Sequence, residues 1–242
     1  MPTLHSEIEM RKVIFMKKNR LLVLLCVAAS LPAVAQNKFH DRIGDSAEVL
    51  RQILAKPDAI PKQYLNAAVC VLVFPGVKKV GVGIGVTYGR GVIVCRTGND
   101  MNGPWSPPAM YKLDVGSLGV QLGSSATDYV LLIENQKSAI KVLSGKLKLG
   151  ADASAVAGPT GAKAVGANDT NFDILTYSRA TGGLFAGASL GSASMDTDDD
   201  ANQGVYGKSI SATQIVREGA VTVTPSGKAL DQVLTAASPK RS

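Results

Sequence analysis

One histidine, two cysteines and a short run of aspartates carry most of the chemistry open to this chain beyond residue 35. They are His40, Cys70, Cys95, and Asp196, Asp198, Asp199 and Asp200. A Ser-His-Asp or Cys-His device needs an imidazole as general base, so it would have to be assembled around His40, on the first amphipathic segment. A zinc site from His40, Cys70 and Cys95 has no recognisable ligand spacing. Asp196, Asp198 and Asp200 match the first three alternating oxygen positions of a calcium loop. Ala201, however, replaces the turn glycine, and Gly207 stands where the bidentate glutamate belongs. The aspartates read instead as a solvated loop that caps the helix after them.

The glycine motifs fail their context tests. Gly81 to Gly85 spell GxGxG, but Val86 occupies the position of the last glycine of a dinucleotide fingerprint, and no helix start follows. Ser144-Gly145-Lys146 lacks both the earlier glycine and the following hydroxyl residue of a phosphate loop. The sequence therefore predicts no catalytic residues, no metal and no cofactor. What it does offer is basic side chains in two groups. Lys78 and Lys79 follow Pro75-Gly76, with Arg90 on the neighbouring hairpin tip. Lys137, Lys141, Lys146 and Lys148 form the second group. Each basic group near an anionic surface contributes about 1 kcal/mol.

Those groups need elements to position them. Phe39, Ile43, Ala47, Leu50 and Leu54 recur at three- and four-residue steps and predict an amphipathic helix over 38–55, stopped by Pro57. Its apolar face either packs on a sheet or lies in a membrane interface. Pro61 opens a second short helix. AAVCVLVF, bounded by Pro75-Gly76, is a buried strand, and in VGVGIGVTY the glycines leave one strand face bare, for close packing or an acyl chain. Tyr88-Gly89-Arg90-Gly91 is read as the turn into GVIVCR. Strands near 109–114, 117–123 and 127–133 resemble a meander. A helix over 134–143 follows, with Lys137 and Lys141 one turn apart. If KLKLG is extended, Lys146 and Lys148 point to one side. Further strands are expected near 149–156, 161–167, 172–179 and 183–194. A short helix follows the aspartates, a last helix starts at Thr224-Pro225, and the tail SPKRS frays. The predicted class is α+β: a curled or barrel-like antiparallel β-sheet with flanking N-terminal, central and C-terminal helices.

Composition bounds the setting. The chain has 242 residues, 45% hydrophobic and 19% charged, with mean hydropathy +0.13 and aromatics at only 5%. That excludes a largely disordered chain and, apart from the first 35 residues, leaves no apolar run of membrane-spanning length. From Met16, the basic Lys17, Lys18 and Arg20, the apolar run 21–29 and Ala33-Val34-Ala35 read as a secretory signal peptide cleaved after Ala35. Residues 1–15 read as an over-called start, and 36–242 as a single domain. Without residues 1–35 the charge falls from +7 to +4, with 21 basic against 17 acidic residues. That is too mild for nucleic acid, which export also disfavours. Cys26 is preceded by Leu24 and Leu25, unlike a lipidated cysteine. Cys70 and Cys95 would either pair in an oxidising compartment or stay as buried thiols.

Several segments together resemble a known family. Ile60-Pro61, AAVCVLVFPGVKKVGVGIGVTYGRGVIVCR, Trp105-Ser106-Pro107-Pro108, GSLGVQLGSSATDYVLLIEN, LSGKLKLGADASAVAGPTG, YSRATGGLFAGASL and DDDANQGVYG, in that order, are similar to the SYLF domain, also called the Ysc-type lipid-binding or actin-binding domain. The resemblance runs over about 38–235. It implies a module without catalysis that binds lipid, with phosphoinositide-binding eukaryotic members, actin-binding fungal members and exported bacterial members in the cell envelope. Actin does not suit an exported protein.

The resulting expectation is a periplasmic or secreted protein, peripherally associated with a membrane. It binds anionic, phosphoinositide-like headgroups through Lys78, Lys79, Arg90, Lys137, Lys141, Lys146 and Lys148. The rival is a structural or partner-binding envelope protein whose basic surface meets an acidic protein or polysaccharide. A hydrolase, the third reading, would lose turnover in His40→Ala.

Overall fold

The computed structural model describes residues 37–56, 60–82, 84–116, 125–159, 172–180, 185–187, 190 and 193–239. The chain divides into two units, 1–38 and 39–242, and the sheet and its covering helices belong to the second. The expected leader, the expected strands at 117–123 and 161–167, and Gly83 lie outside the described residues.

Helix α1 spans residues 37–54 and α2 spans Lys62–Ala67, followed by strands β1 (Cys70–Val82), β2 (Ile84–Cys95), β3 (Ala109–Gly116) and β4 (Ser125–Ile133). Next come α3 (Gln136–Leu143), β5 (Leu147–Lys148), β6 (Ala155–Ala157), β7 (Ile174–Ala180), β8 (Phe185–Gly187) and β9 (Ala193–Thr197). The helices α4 (Asp199–Tyr206), α5 (Ala212–Val216) and α6 (Pro225–Ala237) close the fold. Local chemistry explains the later helix starts. Asn135 accepts from the Ser138 N–H at α3, Ser211 and Gln214 form a reciprocal capping box at α5, and Thr224 caps α6 with Pro225 at its first position.

Among the described residues nine strands form one sheet in the order β5-β9-β3-β2-β1-β4-β7-β6, with β8 beside β7. Every pairing is antiparallel except β6 with β7. The architecture is thus a curled α+β sheet with flanking helices, but not the simple meander expected for the middle: β4 returns to pair with β1, and β3 takes β9. Helix α3 touches both β4 and β9, four strand steps apart. A flat sheet would separate those strands by about 19 Å, wider than a helix, so the sheet must wrap around α3.

This curl creates an inner and an outer face. Cys70, Leu72, Phe74 and Val77 of β1 point inward, with Ile93, Tyr111, Leu131 and Met195, against Ala139 and Val142 of α3 and Ile215 of α5. Val71 and Val73 point outward, with Val92, Met110, Val130 and Leu175, against Ile43, Ala47, Leu50 and Ile53 of α1 and Leu230 and Leu234 of α6. The apolar run of β1 is continuous because both faces of this central strand are covered. The open alternative for the first helix is also decided: Ile43, Ala47 and Leu50 are buried on the sheet.

Two expected boundaries are corrected. Pro75-Gly76 does not end β1, and Tyr88-Gly89-Arg90-Gly91 is not a turn. Val73 pairs with Val92 and Lys78 with Tyr88, leaving one extra residue on β1, and the same irregularity recurs against β4. A proline in a central strand cannot donate to the ladder, so the strand absorbs it as a bulge. Gly76 adopts φ +53°, and its N–H donates to Asp128 Oδ1 at 2.8 Å. Opposite the bulge, a Cβ on Gly91 would lie 2.0 Å from the Val73 carbonyl oxygen, so the glycine there allows close strand approach. The β1–β2 reversal lies between Val82 and Ile84, which pair directly, and Gly81 pairs with Gly85.

Cys70 and Cys95 face each other across β1 and β2, fully buried and joined as a disulfide. Ser238, the first residue of the expected frayed tail, is also fully buried, its carbonyl accepting from Arg96 and Trp105.

Candidate functional site

The outer face is covered by helices at one end of the strands and open at the other, and a buried carboxylate marks the border. Asp198 follows β9 and precedes α4. Its N–H donates to the Met110 carbonyl at 2.9 Å, which fixes the backbone against β3. Its side chain is 2% exposed and collects three cations: Arg42 of α1 at 3.0 Å and Arg90 of β2 at 2.7 Å on Oδ2, and Lys112 of β3 at 3.4 Å on Oδ1. Arg90 and Lys112 are direct cross-strand partners, so sheet register brings their charges together. Burial alone would raise the carboxyl pKa of Asp198, but the Arg42 hydrogen bond and the charges of Arg90 and Lys112 lower it below the ordinary value. Burial in turn lowers the pKa of Arg42, which the contact with Asp198 opposes. Arg42 is nearly enclosed, whereas Arg90 and Lys112 are 54% and 38% exposed. Two cations thus stand at the surface, oriented by a carboxylate underneath them.

The other end of α1 is strapped in the same way. Arg179 donates to Asp128 Oδ2 through Nε at 2.9 Å and Nη2 at 2.6 Å, and through Nη1 to Gln52. Beyond α1 no helix among the described residues covers the outer face. Lys148, Ser194, Asp114, Tyr88, Lys78 and Ala126 are successive register partners across β5, β9, β3, β2, β1 and β4, forming one row. Lys148, Asp114, Lys78 and Ala126 are exposed, and Tyr88 is among the most exposed large apolar side chains. The exposed rows carry Lys78, Arg90, Lys112 and Lys148 against Asp114 and Asp196, above the buried Arg42–Asp198 pair, and the exposed Asp199 and Asp200 of α4 adjoin them. An exposed tyrosine with Lys78 as one register partner and Arg90 two residues along its strand suits an interfacial layer, where an amphipathic ring and basic heads sit together.

The structure distributes the expected basic residues as follows. Lys78 and Arg90 share the outer face, although Arg90 lies within β2 and not on a hairpin tip. The backbone of Lys79 pairs with Thr87 and Ser125, and its side chain lies outside the described residues. Lys137 and Lys141 are exposed on α3, on the inner side of the sheet, with the 48% exposed Ile140 between them. Lys141 donates to the Asp152 carbonyl at 2.8 Å. Lys146 is exposed just before β5, so only Lys148 of the pair has a strand register. Lys148 therefore belongs to the outer row, and the second sequence group is split between faces. Sequence reasoning missed Arg42, Lys112 and Tyr88, since only the pairing of β2 with β3 and the docking of α1 gather them.

The other candidate chemistry takes structural roles. Asp198 binds cations of the protein, Asp196 Oδ1 accepts from the Thr197 N–H, and Asp199 and Asp200 occupy the first turn of α4, which favours negative charge. Among the described residues no three His, Cys, Asp or Glu side chains gather to hold a metal. His40 Nδ1 lies 2.9 Å from Ser226 Oγ, which is also 3.1 Å from Thr224 Oγ1 at the start of α6. This contact ties α1 to the N-terminus of α6. Asp173 joins α3 to β6 and β7. Its Oδ1 accepts from Ser138 Oγ at 2.6 Å and Asn135 Nδ2 at 3.1 Å, and its Oδ2 accepts from the Ser154 N–H at 2.8 Å and Ser154 Oγ at 2.9 Å. Burial pushes its pKa up, but these hydrogen bonds win and hold it well below the usual carboxylate range.

Asp173 and Asp198 give a pH prediction. Both have lowered folded-state pKa values, so the unfolded chain binds more protons at acid pH. Their stabilisation is complete above the ordinary carboxylate pKa, about 3.9. It is lost as pH falls further, through their folded values. The unfolding temperature should drop by at least about 3 °C between pH 6 and pH 3, and Asp173→Asn should flatten that dependence.

Comparison with known proteins fixes the relationship. Residues 114–237, just over half of the chain, match the family model Ysc84, described as a Las17-binding protein actin regulator. An SH3 domain-containing protein of Schizosaccharomyces pombe is 31% identical over 69% of this chain and 39% of its own length. Protein YSC84 of Saccharomyces cerevisiae is 29% identical over 78% of this chain and 42% of its own. LAS seventeen-binding protein 3 of the same yeast is 29% identical over 76% and 40%. The chain thus spans about two fifths of the length of the curated relatives it matches. With more than half its length under that model, and with the ordered motifs of β1, β2, β4 and β7, the chain belongs to the Ysc84 family, the SYLF domain.

Proposed function

We propose that this chain is a non-catalytic module that adsorbs to anionic phospholipid at a membrane surface through the open end of its outer sheet face. The observation that carries the reading is the pair Arg90 and Lys112, held at the surface by buried Asp198 and adjoining Lys78 and exposed Tyr88, with no helix of the described residues over them. Lys78, Arg90, Lys112 and Lys148 at about 1 kcal/mol each give about 4 kcal/mol, a millimolar affinity for accessible lipid. Adsorption is therefore weak, reversible and salt-sensitive. Among the described residues no helix is long and apolar enough to cross a membrane, and surface adsorption requires none.

The proposed location is outside the cytoplasm, in the periplasm or envelope. The signal-like segment at 16–35 supports it, and so does the Cys70–Cys95 disulfide, because disulfides persist chiefly in oxidising compartments. A second reading is a protein partner on the same basic face. The family description favours it, since it names binding to another protein.

Co-sedimentation with vesicles tests the proposal. Phosphatidylcholine vesicles containing one third phosphatidylglycerol should pellet the protein at about 20 mM salt and release most of it at about 300 mM, where the Debye length is shorter than the patch. Pure phosphatidylcholine should pellet little. Equal recovery on both vesicles, or none on either, rejects the lipid reading, and recovery on neither vesicle combined with crosslinking to one envelope protein in intact cells supports the partner reading.

A further inference from the structure

We propose that one copy of this chain bridges two anionic bilayers, an activity that rests on the lipid reading above and goes beyond it. The basis is the division of exposed basic side chains between opposite faces of one sheet. Lys78, Tyr88, Arg90 and Lys112 stand on the outer face, which the strand register establishes through Val92 and Val73. Lys137 and Lys141 stand on α3, whose buried Ala139 and Val142 pack on the inner face and whose Val142 carbonyl accepts from Tyr111 Oη at 3.0 Å.

Each patch has the composition of a membrane contact. The outer one surrounds Tyr88, 45% exposed, and the inner one surrounds Ile140, 48% exposed, lodged between Lys137 and Lys141 on adjoining turns. An apolar side chain flanked by lysines lies comfortably at the headgroup boundary. The sheet, with helices on both sides, lies between the outer patch around Tyr88 and the exposed side of α3 that carries Lys137 and Ile140, while Lys141 stands at the β5 edge, where Asp152 accepts from its Nζ at 2.8 Å and from the Lys148 N–H at 2.7 Å. Two weak contacts on opposite faces hold two surfaces together, and many copies between the same vesicles act with the gain of multivalency.

Vesicle aggregation separates this inference from simple binding. The protein is taken in the form the producing cell yields and mixed with phosphatidylcholine vesicles containing one third phosphatidylglycerol. Turbidity and co-sedimentation are read on the same samples. Wild type should pellet with the vesicles and raise turbidity at least tenfold. The double variants Lys78→Glu with Tyr88→Ser, and Lys137→Glu with Lys141→Glu, alter only exposed positions. Each should keep part of the sedimentation, within about threefold of wild type, and bring turbidity to the level of vesicles alone. Pelleting without turbidity overturns the bridging inference and leaves the lipid reading standing. Failure of wild type to pellet overturns the lipid reading itself. Turbidity that persists in both double variants, or a dimeric mass by light scattering without lipid, overturns the assignment of bridging to two faces of one copy.

Discussion

Asp198→Ala should cost about 3 kcal/mol of folding stability, at the low end of the 3–5 kcal/mol typical when one partner of a buried ion pair is removed. The low end applies because only Arg42 is left enclosed. Arg90 and Lys112 are more than a third exposed, and water takes over their solvation. The variant loses the carboxylate that connects α1, β2 and β3, so urea unfolding should show a lower midpoint with an unchanged slope. Arg42→Met in the same chain should recover part of the loss, since it removes the stranded guanidinium. Vesicle binding should not fall with it. The outer face becomes one charge more positive, and the fraction pelleted at low salt should equal or exceed wild type wherever the variant is folded. Asp198 therefore separates stability from binding, which a patch of independent surface lysines would not do.

A larger loss is expected at Arg96, about 4 kcal/mol for Arg96→Ala, or roughly 10 °C in unfolding temperature. Arg96 follows β2 and is 1% exposed. Its guanidinium stacks 4.0 Å from the Trp105 ring and donates from Nη2 to the Ser238 carbonyl at 2.9 Å and to Ser238 Oγ at 2.6 Å. Trp105 Nε1 donates to the same carbonyl at 3.0 Å, and Ser238 Oγ donates to the Leu65 carbonyl at 3.2 Å. One buried serine thus fastens the end of α6 to the end of the central strand β2, the Trp105 loop and α2. Removal of the arginine deletes a desolvated cation–π contact and three hydrogen bonds, the third from Nη1 to the Gly103 carbonyl at 3.4 Å, and leaves a cavity of side-chain size. Arg96→Lys keeps the charge but neither the planar stack nor the fork, so it should recover less than half of the loss. Calorimetry on both variants checks the ranking.

What the sequence disclosed depended on the range of the signal. The helices α1, α3 and α6 were legible because their signals are local: Ile43, Ala47 and Leu50, Lys137 and Lys141 one turn apart, Thr224-Pro225; α3 starts at Gln136, two residues later than expected, because Asn135 is its cap. So was the central strand, whose continuous apolar run requires cover on both faces. The β1–β2 hairpin was misplaced by several residues because Pro75-Gly76 and Gly89 to Gly91 are turn residues in isolation. Only their opposition across the ladder reveals one bulge with glycines facing it. The site was half legible. Lys78 and Arg90 stood out as basic residues, but Arg42, Lys112 and Asp198 lie 48, 22 and 108 residues from Arg90 in the chain. No spacing rule links them. Alternating aspartates suggested a cation site, and the structure gives Asp198 cations of the protein itself. The cysteines could be paired only once Cys70 and Cys95 were seen to be register partners.

The contact of the outer face with an anionic bilayer is tested most directly by an emission probe at its centre. Tyr88→Trp replaces the exposed aromatic in the row between Lys78 and Asp114, while the native Trp105 stays buried at 4% exposure as a constant background. On addition of phosphatidylglycerol-containing vesicles at low salt, the emission that the variant adds to wild type should shift to the blue and be quenched by brominated lipid. Phosphatidylcholine vesicles should leave it unchanged. A variant that pellets with anionic vesicles while this added emission neither shifts nor quenches would contradict the account.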